Sequence, residues 1–319
     1  MIPWNFSKCF PKAGGWSLEE SDRFCLRCAI SHYENFPVIA GIFDEGARKT
    51  LAAVYSFARF ADDFADEPEF EGVRLHLLDD WENQLEKCID GNSSNHPVFI
   101  SLKTAIERHR IDPQLLRMLL SAFKQDCTKN RYETMEEVLD YCRRSANPVG
   151  RIVLRVFNRD TPENLIFSDW TCTSLQLINF WQDISVDRKR NRLYIPREIS
   201  SKYGVDSESI VEGKVGIGFQ KLMEELVSFT GQLMRRAEPL PELVGFPWDF
   251  YLRAVQKGGL KVLRKVKAMG VRILNERPSL SIFNMGAIFI AGATDSLARV
   301  AYEKGSRSAG KLMNKLEKL

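Results

Sequence analysis

The feature that most constrains the fold of this chain is a helical hydrophobic period that continues through almost its whole length. Apolar residues recur at intervals of three and four, and alternating strand patterns bounded by turns are hard to find in the 319 residues. Asp112-Pro113 and Thr161-Pro162 are typical helix starts, with a capping side chain before a proline. We predict an all-α fold in a single domain over residues 1–319. The predicted helices cover about 18–34, 46–66, 73–90, 97–109, 112–128, 134–157, 162–187, 219–238, 248–275 and 284–315.

A polar stripe runs along the second predicted helix. At 100° per residue its members fall within roughly 60° of one another; they are Tyr55, Arg59, Asp62 and Asp66. Such spacing normally carries the apolar residues of a buried helix, and here small and aromatic side chains cover the other faces. We infer that protein encloses this helix and that the stripe lines an internal cavity. The alternative is an amphipathic helix whose acidic face meets water, with Arg59 paired to Asp62 or Asp63.

A second polar stripe lies on the helix predicted over 162–187. Its members are Gln176, Asn179, Asp183 and Asp187, and apolar residues fill the other faces. Two helices that each carry Asp-x-x-x-Asp in apolar surroundings are difficult to explain as solvated surfaces. We therefore predict that both stripes belong to one site.

The chemistry that suits two such aspartate pairs is Mg²⁺ binding. Carboxylates at i and i+4 offer the oxygen ligands that Mg²⁺ takes, commonly together with a substrate phosphate. The metal would stabilise the charge that develops when a diphosphate leaves. Asp63 and Glu67 lie about 80° to 120° from the first stripe, so we expect them to be supporting or surface acids.

A basic run, RKRNRLY, directly follows Asp187. Next to a diphosphate site we expect Arg192 first, and Arg190 second, to contact phosphate oxygens. The alternative is a solvated basic helix end, which the helix dipole favours. Departure of a diphosphate leaves a carbocation, and the aromatic faces of Tyr55 and Tyr194 are placed beside the stripes to stabilise it.

The segments YSFARFADDFADE and QLINFWQDISVDRKRNRLYIP resemble the two aspartate-rich signatures of the squalene/phytoene synthase family, the head-to-head prenyl synthases. The resemblance covers about residues 31–277 and leaves 278–319 as a helical extension. It implies an isoprenoid synthase fold around a central cavity, prenyl diphosphate substrates and bound Mg²⁺. By motif position it implies metal binding by Asp62, Asp66, Asp183 and Asp187, and substrate contact by Tyr55, Arg59, Gln176, Asn179, Arg192 and Tyr194.

Within the family, HYENFP and YCRRSANPVG resemble the hydroxysqualene synthase branch. That branch implies that presqualene diphosphate loses diphosphate and that water captures the rearranged cation. Asn147 is a candidate to position this water, or else it caps a kink before Pro148. His32 and Asn35 lie in the motif expected opposite the diphosphate, or else they brace the first helix.

Two other readings of the motifs remain open. The same aspartates serve enzymes that condense two prenyl diphosphates to presqualene diphosphate, squalene, dehydrosqualene or phytoene. A scaffold protein of this fold is a third reading, but such a protein is expected to lose metal-binding acids, and all four are present.

Composition limits the compartment and the partners. Seven scattered cysteines indicate reduced thiols and a cytoplasmic protein. A formal charge of +3 predicts no nucleic-acid partner. A C30 product must reach a bilayer, so the basic tail 303–319 is a candidate for peripheral contact with the inner face of the membrane, or else a solvated helix. We also expect hand-over of substrate from a presqualene diphosphate synthase.

Overall fold

The computed structural model describes residues 15–31, 43–92 and 94–278, and every regular element in these ranges is a helix, as predicted. His32, Asn35 and the predicted helix 284–315 lie outside the described residues. The α-helices are α1 (Leu18–Ser31), α2 (Glu45–Asp66), α3 (Arg74–Ile89), α4 (Pro97–His109), α5 (Pro113–Asp126), α6 (Met135–Ser145), α7 (Asn147–Val156), α8 (Pro162–Gln182), α9 (Ile184–Asp187), α10 (Arg197–Lys202), α11 (Ser207–Glu212), α12 (Gly218–Arg236), α13 (Leu240–Val244) and α14 (Asp249–Met269). Short 3-10 helices cover Pro68–Phe70, Arg188–Arg190 and Gly270–Leu274.

The described residues form two compact units. The first runs to Asn130 and includes Glu136–Thr161, and the second comprises Arg131–Met135 and the chain from Pro162 onward. The prediction of a single domain with a helical extension over 278–319 stays a prediction. Among the described residues, no helix has both the length and the apolar character needed to span a bilayer.

In the first unit α2 is the central helix and packs against α1, α3, α4, α5 and α7. An aromatic cluster fills the space between α2, α3 and α4, with Trp81 in its middle. The Trp81 ring stacks on Phe60 at a centroid distance of 5.5 Å and lies 4.9 Å from the ring of His96. Its indole N–H donates to the Phe57 carbonyl at 3.2 Å, so the largest ring of the cluster is buried with its polar atom satisfied.

In the second unit α8 packs against α12, α13 and α14. Trp181 is fully buried, and its indole N–H donates to the hydroxyl of Thr230 at 2.9 Å. Gly259 allows α14 to approach α8 closely, since a Cβ at this position would lie 2.8 Å from a methyl of Leu175. These contacts fix the helix that leads into the second aspartate pair.

The structure differs from the predicted elements in two places that concern the site. The helix predicted over 134–157 breaks after Ser145 and restarts at Asn147, because Pro148 has no N–H to donate to the preceding turn. The helix predicted over 162–187 is interrupted at Asp183, whose φ of −97° and ψ of 9° leave the helical region.

Candidate active site

α2 carries all four side chains of the first stripe on one uninterrupted helix. The Asp44 side chain caps its start by accepting from the Ala47 N–H at 2.8 Å. The helix ends at Asp66, just before Pro68, so the stripe occupies its last three turns. Because an uninterrupted helix keeps positions i, i+4, i+7 and i+11 on one face, the predicted grouping of these side chains is present.

Arg59 binds two neighbouring aspartates of this helix. Its guanidinium contacts Asp62 at 3.3 Å and makes a closer ion pair with Asp63. Asp63 is only 8% exposed, which makes it an internal counter-charge rather than a surface acid. Burial alone would lower the pKa of Arg59. The negative charges of Asp63 and Asp62 outweigh this effect, so the pKa of Arg59 is raised.

Asp62 carries negative charge that its surroundings do not fully compensate. Desolvation by the protein, followed by repulsion from Asp66, raises the pKa of Asp62 to about 7, against the opposing effect of Arg59. The side chain nevertheless keeps 43% of its surface accessible. The interpretation that the stripe lines an internal cavity stays a prediction.

Asp126, the last residue of α5, is a further buried acid near Asp62 that the sequence did not indicate. Its charge contributes to the raised pKa of Asp62. The hydroxyl of Tyr141 donates to a carboxylate oxygen of Asp126 at 2.5 Å, and both residues are buried. Tyr141 begins the YCRRSANPVG segment, so this hydrogen bond attaches that segment to the acidic region.

Two other predicted residues of the first unit are Tyr55, which is partly buried, and Asn147, which is buried. Burial raises the pKa of the Tyr55 phenol, which therefore stays a neutral hydroxyl beside Arg59. Asn147 is 5% exposed and is the first residue of α7. Its place at the helix start agrees with the kink that the sequence predicted before Pro148.

The second stripe follows α8 and continues through the interruption at Asp183. The Asp183 N–H donates to the Asn179 carbonyl at 2.8 Å, and the Asp187 N–H donates to the Asp183 carbonyl at 2.9 Å. These bonds keep Asp183 and Asp187 about one helical turn apart although the helix is broken. Gln176 is partly exposed and Asn179 is exposed.

The basic run divides into residues with different environments. Arg188 donates to the backbone carbonyls of Leu274 at 2.5 Å and Val211 at 3.0 Å, so it fastens the surrounding chain. Arg190 is exposed, whereas Arg192 is 7% exposed and lies 3.4 Å from the Tyr194 hydroxyl.

Tyr194 stacks on two aromatic rings. It stacks on Phe180 at a centroid distance of 3.7 Å and on Tyr132 at 5.3 Å. The stack gives Tyr194 a fixed orientation and holds its hydroxyl next to Arg192. The sequence placed Tyr194 beside the stripe but gave no sign of Tyr132, which comes from a distant part of the chain.

Arg277 makes a two-point ion pair with Asp183. Its Nε contacts one carboxylate oxygen and its Nη2 lies 3.3 Å from the other. No local pattern could have predicted this pair, because its members are 94 residues apart.

The donor groups of both pairs fit Mg²⁺. The four side chains offer only carboxylate oxygens. The raised pKa of Asp62 shows that its ionised form is disfavoured, and a bound cation would stabilise that form. In the part of the chain that the structure describes, no three His, Cys, Asp or Glu side chains converge on a point where they could hold a metal ion. Water molecules, or oxygens of a substrate diphosphate, would complete the coordination.

Comparison with known proteins gives a consistent result. The pattern of the family described as squalene/phytoene synthase matches residues 30–284. The chain is 31% identical to the hydroxysqualene synthase of Rhodopseudomonas palustris, over 88% of this chain and 95% of that protein. It is 32% identical to the hydroxysqualene synthase of Sinorhizobium fredii, over 88% and 94%. The crystal structure of the squalene synthase HpnC from Alicyclobacillus acidocaldarius superposes with a TM-score of 0.74 at 32% identity, and covers 79% of this chain and 95% of that one.

Proposed function

The chain belongs to the squalene/phytoene synthase family, and we propose that within this family it is a hydroxysqualene synthase. The observation that carries the proposal is the extended likeness to two proteins of that name, which spans most of this chain and nearly all of theirs. The substrates are presqualene diphosphate and water, and the products are hydroxysqualene and diphosphate.

The reaction breaks one C–O bond and forms another. The bonding electrons of the first C–O bond leave with diphosphate, and the carbon skeleton rearranges as a cation. Water then adds its oxygen to the cation and releases one proton to solvent. The reaction uses no reductant, so the oxygen of the captured water stays in the product as a hydroxyl group.

The two aspartate pairs are the proposed metal ligands. Asp62 and Asp66 on α2, and Asp183 and Asp187 beyond α8, would hold Mg²⁺. The ion supplies Lewis-acid stabilisation of the departing diphosphate. The desolvation that raises the pKa of Asp62 also strengthens its attraction to a cation.

Cationic and amide side chains are proposed to orient the diphosphate. Arg59 is held by Asp63 with part of its guanidinium shared with Asp62. Arg192 is fixed beside Tyr194 and is the preferred second cation, with Arg190 as the more exposed one. The partly exposed Gln176 and the exposed Asn179 are proposed as hydrogen-bond donors to the same group. Substrate contact by His32 and Asn35 stays a prediction.

Enclosed polar and aromatic groups are proposed to control the cation. The neutral phenol of Tyr55 and the stacked ring of Tyr194 present electron-rich faces without a strong nucleophile. Asn147 is buried at the start of α7, where its amide is proposed to orient the water that captures the cation. A purely structural role at this helix start is the alternative for Asn147.

A second candidate function is the condensation of two farnesyl diphosphates. It is favoured by the name squalene synthase given to the similar protein of Alicyclobacillus acidocaldarius. The two functions differ in the substrate that must enter first, although they use the same aspartates.

The discriminating experiment supplies the purified protein and Mg²⁺ with either presqualene diphosphate or farnesyl diphosphate, and identifies the products by mass spectrometry. We expect hydroxysqualene from presqualene diphosphate and no C30 product from farnesyl diphosphate. Presqualene diphosphate or squalene formed from farnesyl diphosphate would replace the first proposal by the second.

The cellular setting is part of the proposal. We place the reaction in the cytoplasm, with presqualene diphosphate handed over by a separate synthase. Contact of the tail 303–319 with the inner face of the membrane stays a prediction that liposome co-sedimentation, with and without that tail, can test.

A further inference from the structure

The segment Leu274–Pro278 is fastened along the second aspartate pair by side chains from both sides of Asp183. The amide of Gln182 donates to the Pro278 carbonyl at 2.6 Å in a buried hydrogen bond. Arg188 donates to the Leu274 carbonyl at 2.5 Å. Two backbone carbonyls near the ends of the segment are therefore held in place, and Arg277 projects from between them.

Arg277 engages both oxygens of the Asp183 carboxylate. The contacts of Nε and Nη2 form the two-point geometry that a guanidinium makes with a carboxylate. The side chain of Arg277 is 49% exposed and that of Asp183 is 28% exposed, so the pair is accessible to ions from solvent. It occupies lone pairs that a divalent cation would use on the same carboxylate.

A guanidinium and a divalent cation at one carboxylate repel each other. Each is positive, and in a partly desolvated site their repulsion is stronger than it is in water. Binding of the metal at Asp183 is therefore opposed for as long as Arg277 stays in its two-point contact.

We propose that Arg277 is an internal counter-cation for Asp183, which a divalent metal must displace in order to bind. The inference rests on the proposed function in one respect, namely that Asp183 is a metal ligand. Since the Leu274 and Pro278 carbonyls are bound separately, the exchange requires only the Arg277 side chain to leave, while the backbone of the segment stays attached.

The test measures Mn²⁺ binding to the full-length protein without substrate, by electron paramagnetic resonance. Mn²⁺ takes the same oxygen ligands as Mg²⁺ and is directly visible to this method. Arg277→Gln removes the charge at a half-exposed position, and Arg272→Gln makes the same change at an exposed residue of the preceding 3-10 helix. We expect Arg277→Gln to bind Mn²⁺ roughly tenfold more tightly than the parent protein, and Arg272→Gln to match the parent.

An unchanged or weaker Mn²⁺ affinity in Arg277→Gln overturns the inference. Arg277→Lys gives a second measurement, because lysine keeps the charge but cannot make the two-point contact. Its affinity should lie between those of the parent and Arg277→Gln, and a value at or below the parent's contradicts the proposal.

Asp183→Asn separates this inference from the proposed function. It should weaken Mn²⁺ binding in the parent and abolish the gain from Arg277→Gln, and an unchanged affinity would show that Asp183 is not a ligand. If Mn²⁺ binding responds as expected while the parent protein makes no hydroxysqualene, only the proposed function fails.

Discussion

At the scale of single residues, Arg59 determines how the acidic stripe of α2 behaves. It divides its guanidinium between the partly exposed Asp62 and the buried Asp63. Because Asp63 supplies a closer partner, Arg59 does not have to neutralise Asp62 completely. Helix periodicity separates the two acids by angle, but it does not reveal which of them holds the arginine, since that depends on the helices packed around α2.

The change Asp63→Asn tests this division of charge. Arg59 should move toward Asp62, which weakens both the orientation of the diphosphate and the attraction for metal. We expect the KM for presqualene diphosphate to rise and kcat/KM to fall about tenfold, equivalent to about 1.4 kcal/mol. Steady-state kinetics on the purified variants would measure both quantities.

Glu69→Gln is the matched control, because it removes one charge from an exposed residue of the neighbouring 3-10 helix. Its kinetics should equal those of the parent, and circular dichroism should show equal helical content in all three proteins. Parent-like kinetics in Asp63→Asn would show that Asp63 does not position Arg59.

At the scale of elements, a helix could be predicted correctly where capping or helix-breaking residues flank a long stretch of helical periodicity. Sequence reasoning predicted α2 over 46–66, and the helix extends over Glu45–Asp66, because a capping aspartate and a proline enclose it. The short helices α10, α11 and α13 were not predicted, since five or six residues contain too little periodicity to recognise. Their positions depend on packing against the longer helices.

The start of α4 provides a prediction on pH and stability. His96 caps this helix by accepting from the Val98 N–H at 3.2 Å, among the rings of Trp81, Phe60 and Phe99. Burial lowers the pKa of His96 to about 4. The unfolded chain takes up a proton near its ordinary pKa of about 6.5, whereas the folded protein does not. The contribution of neutral His96 to the free energy of unfolding is therefore fully present above about pH 6.5, and it is lost as pH falls toward 4.

Asn at position 96 keeps a capping oxygen without a titratable group. Between pH 7 and pH 4.5, we expect the free energy of unfolding of the parent to fall by on the order of 2 kcal/mol more than that of His96→Asn. Urea unfolding at several pH values measures this difference. His76→Asn, at an exposed histidine, should follow the parent; equal pH dependence in the parent and His96→Asn would contradict the assignment.

Helix packing in the second unit gives a further prediction at this scale. Ala at Gly259 would place a methyl 2.8 Å from Leu175 and 3.3 Å from Ile178, so either these side chains shift or the α8–α14 contact widens. We expect Gly259→Ala to lower the free energy of unfolding by about 1–3 kcal/mol. Gly231→Ala is the contrast, because its methyl would meet its nearest neighbour at 3.6 Å.

Gly231→Ala should leave stability unchanged or raise it by up to about 1 kcal/mol, as expected for alanine in a helix. Urea unfolding of both variants under one condition provides the comparison. Equal effects of the two substitutions would show that the close approach of α14 at Gly259 does not require glycine.

At the scale of the whole molecule, the helical period predicted the all-α fold, and the two complete motifs that surround the aspartate pairs predicted the family. The motif residues could be proposed from spacing, because the first stripe lies on one helix and the second keeps its turn-by-turn spacing across the break at Asp183. Asp126 and Arg277 could not be read in this way. In the first unit, Asp126 comes near Asp62 only through tertiary packing. In the second unit, Arg277 reaches Asp183 across 94 residues of sequence.

The proposal that this chain lets water capture a carbocation is tested most directly by the origin of the product oxygen. Purified protein, Mg²⁺ and presqualene diphosphate are incubated in water enriched in oxygen-18, and the C30 product is analysed by mass spectrometry. We expect hydroxysqualene whose hydroxyl carries oxygen-18 at the enrichment of the solvent. A hydroxyl that retains the unlabelled oxygen of the diphosphate ester, or a product without a hydroxyl, would contradict this expectation.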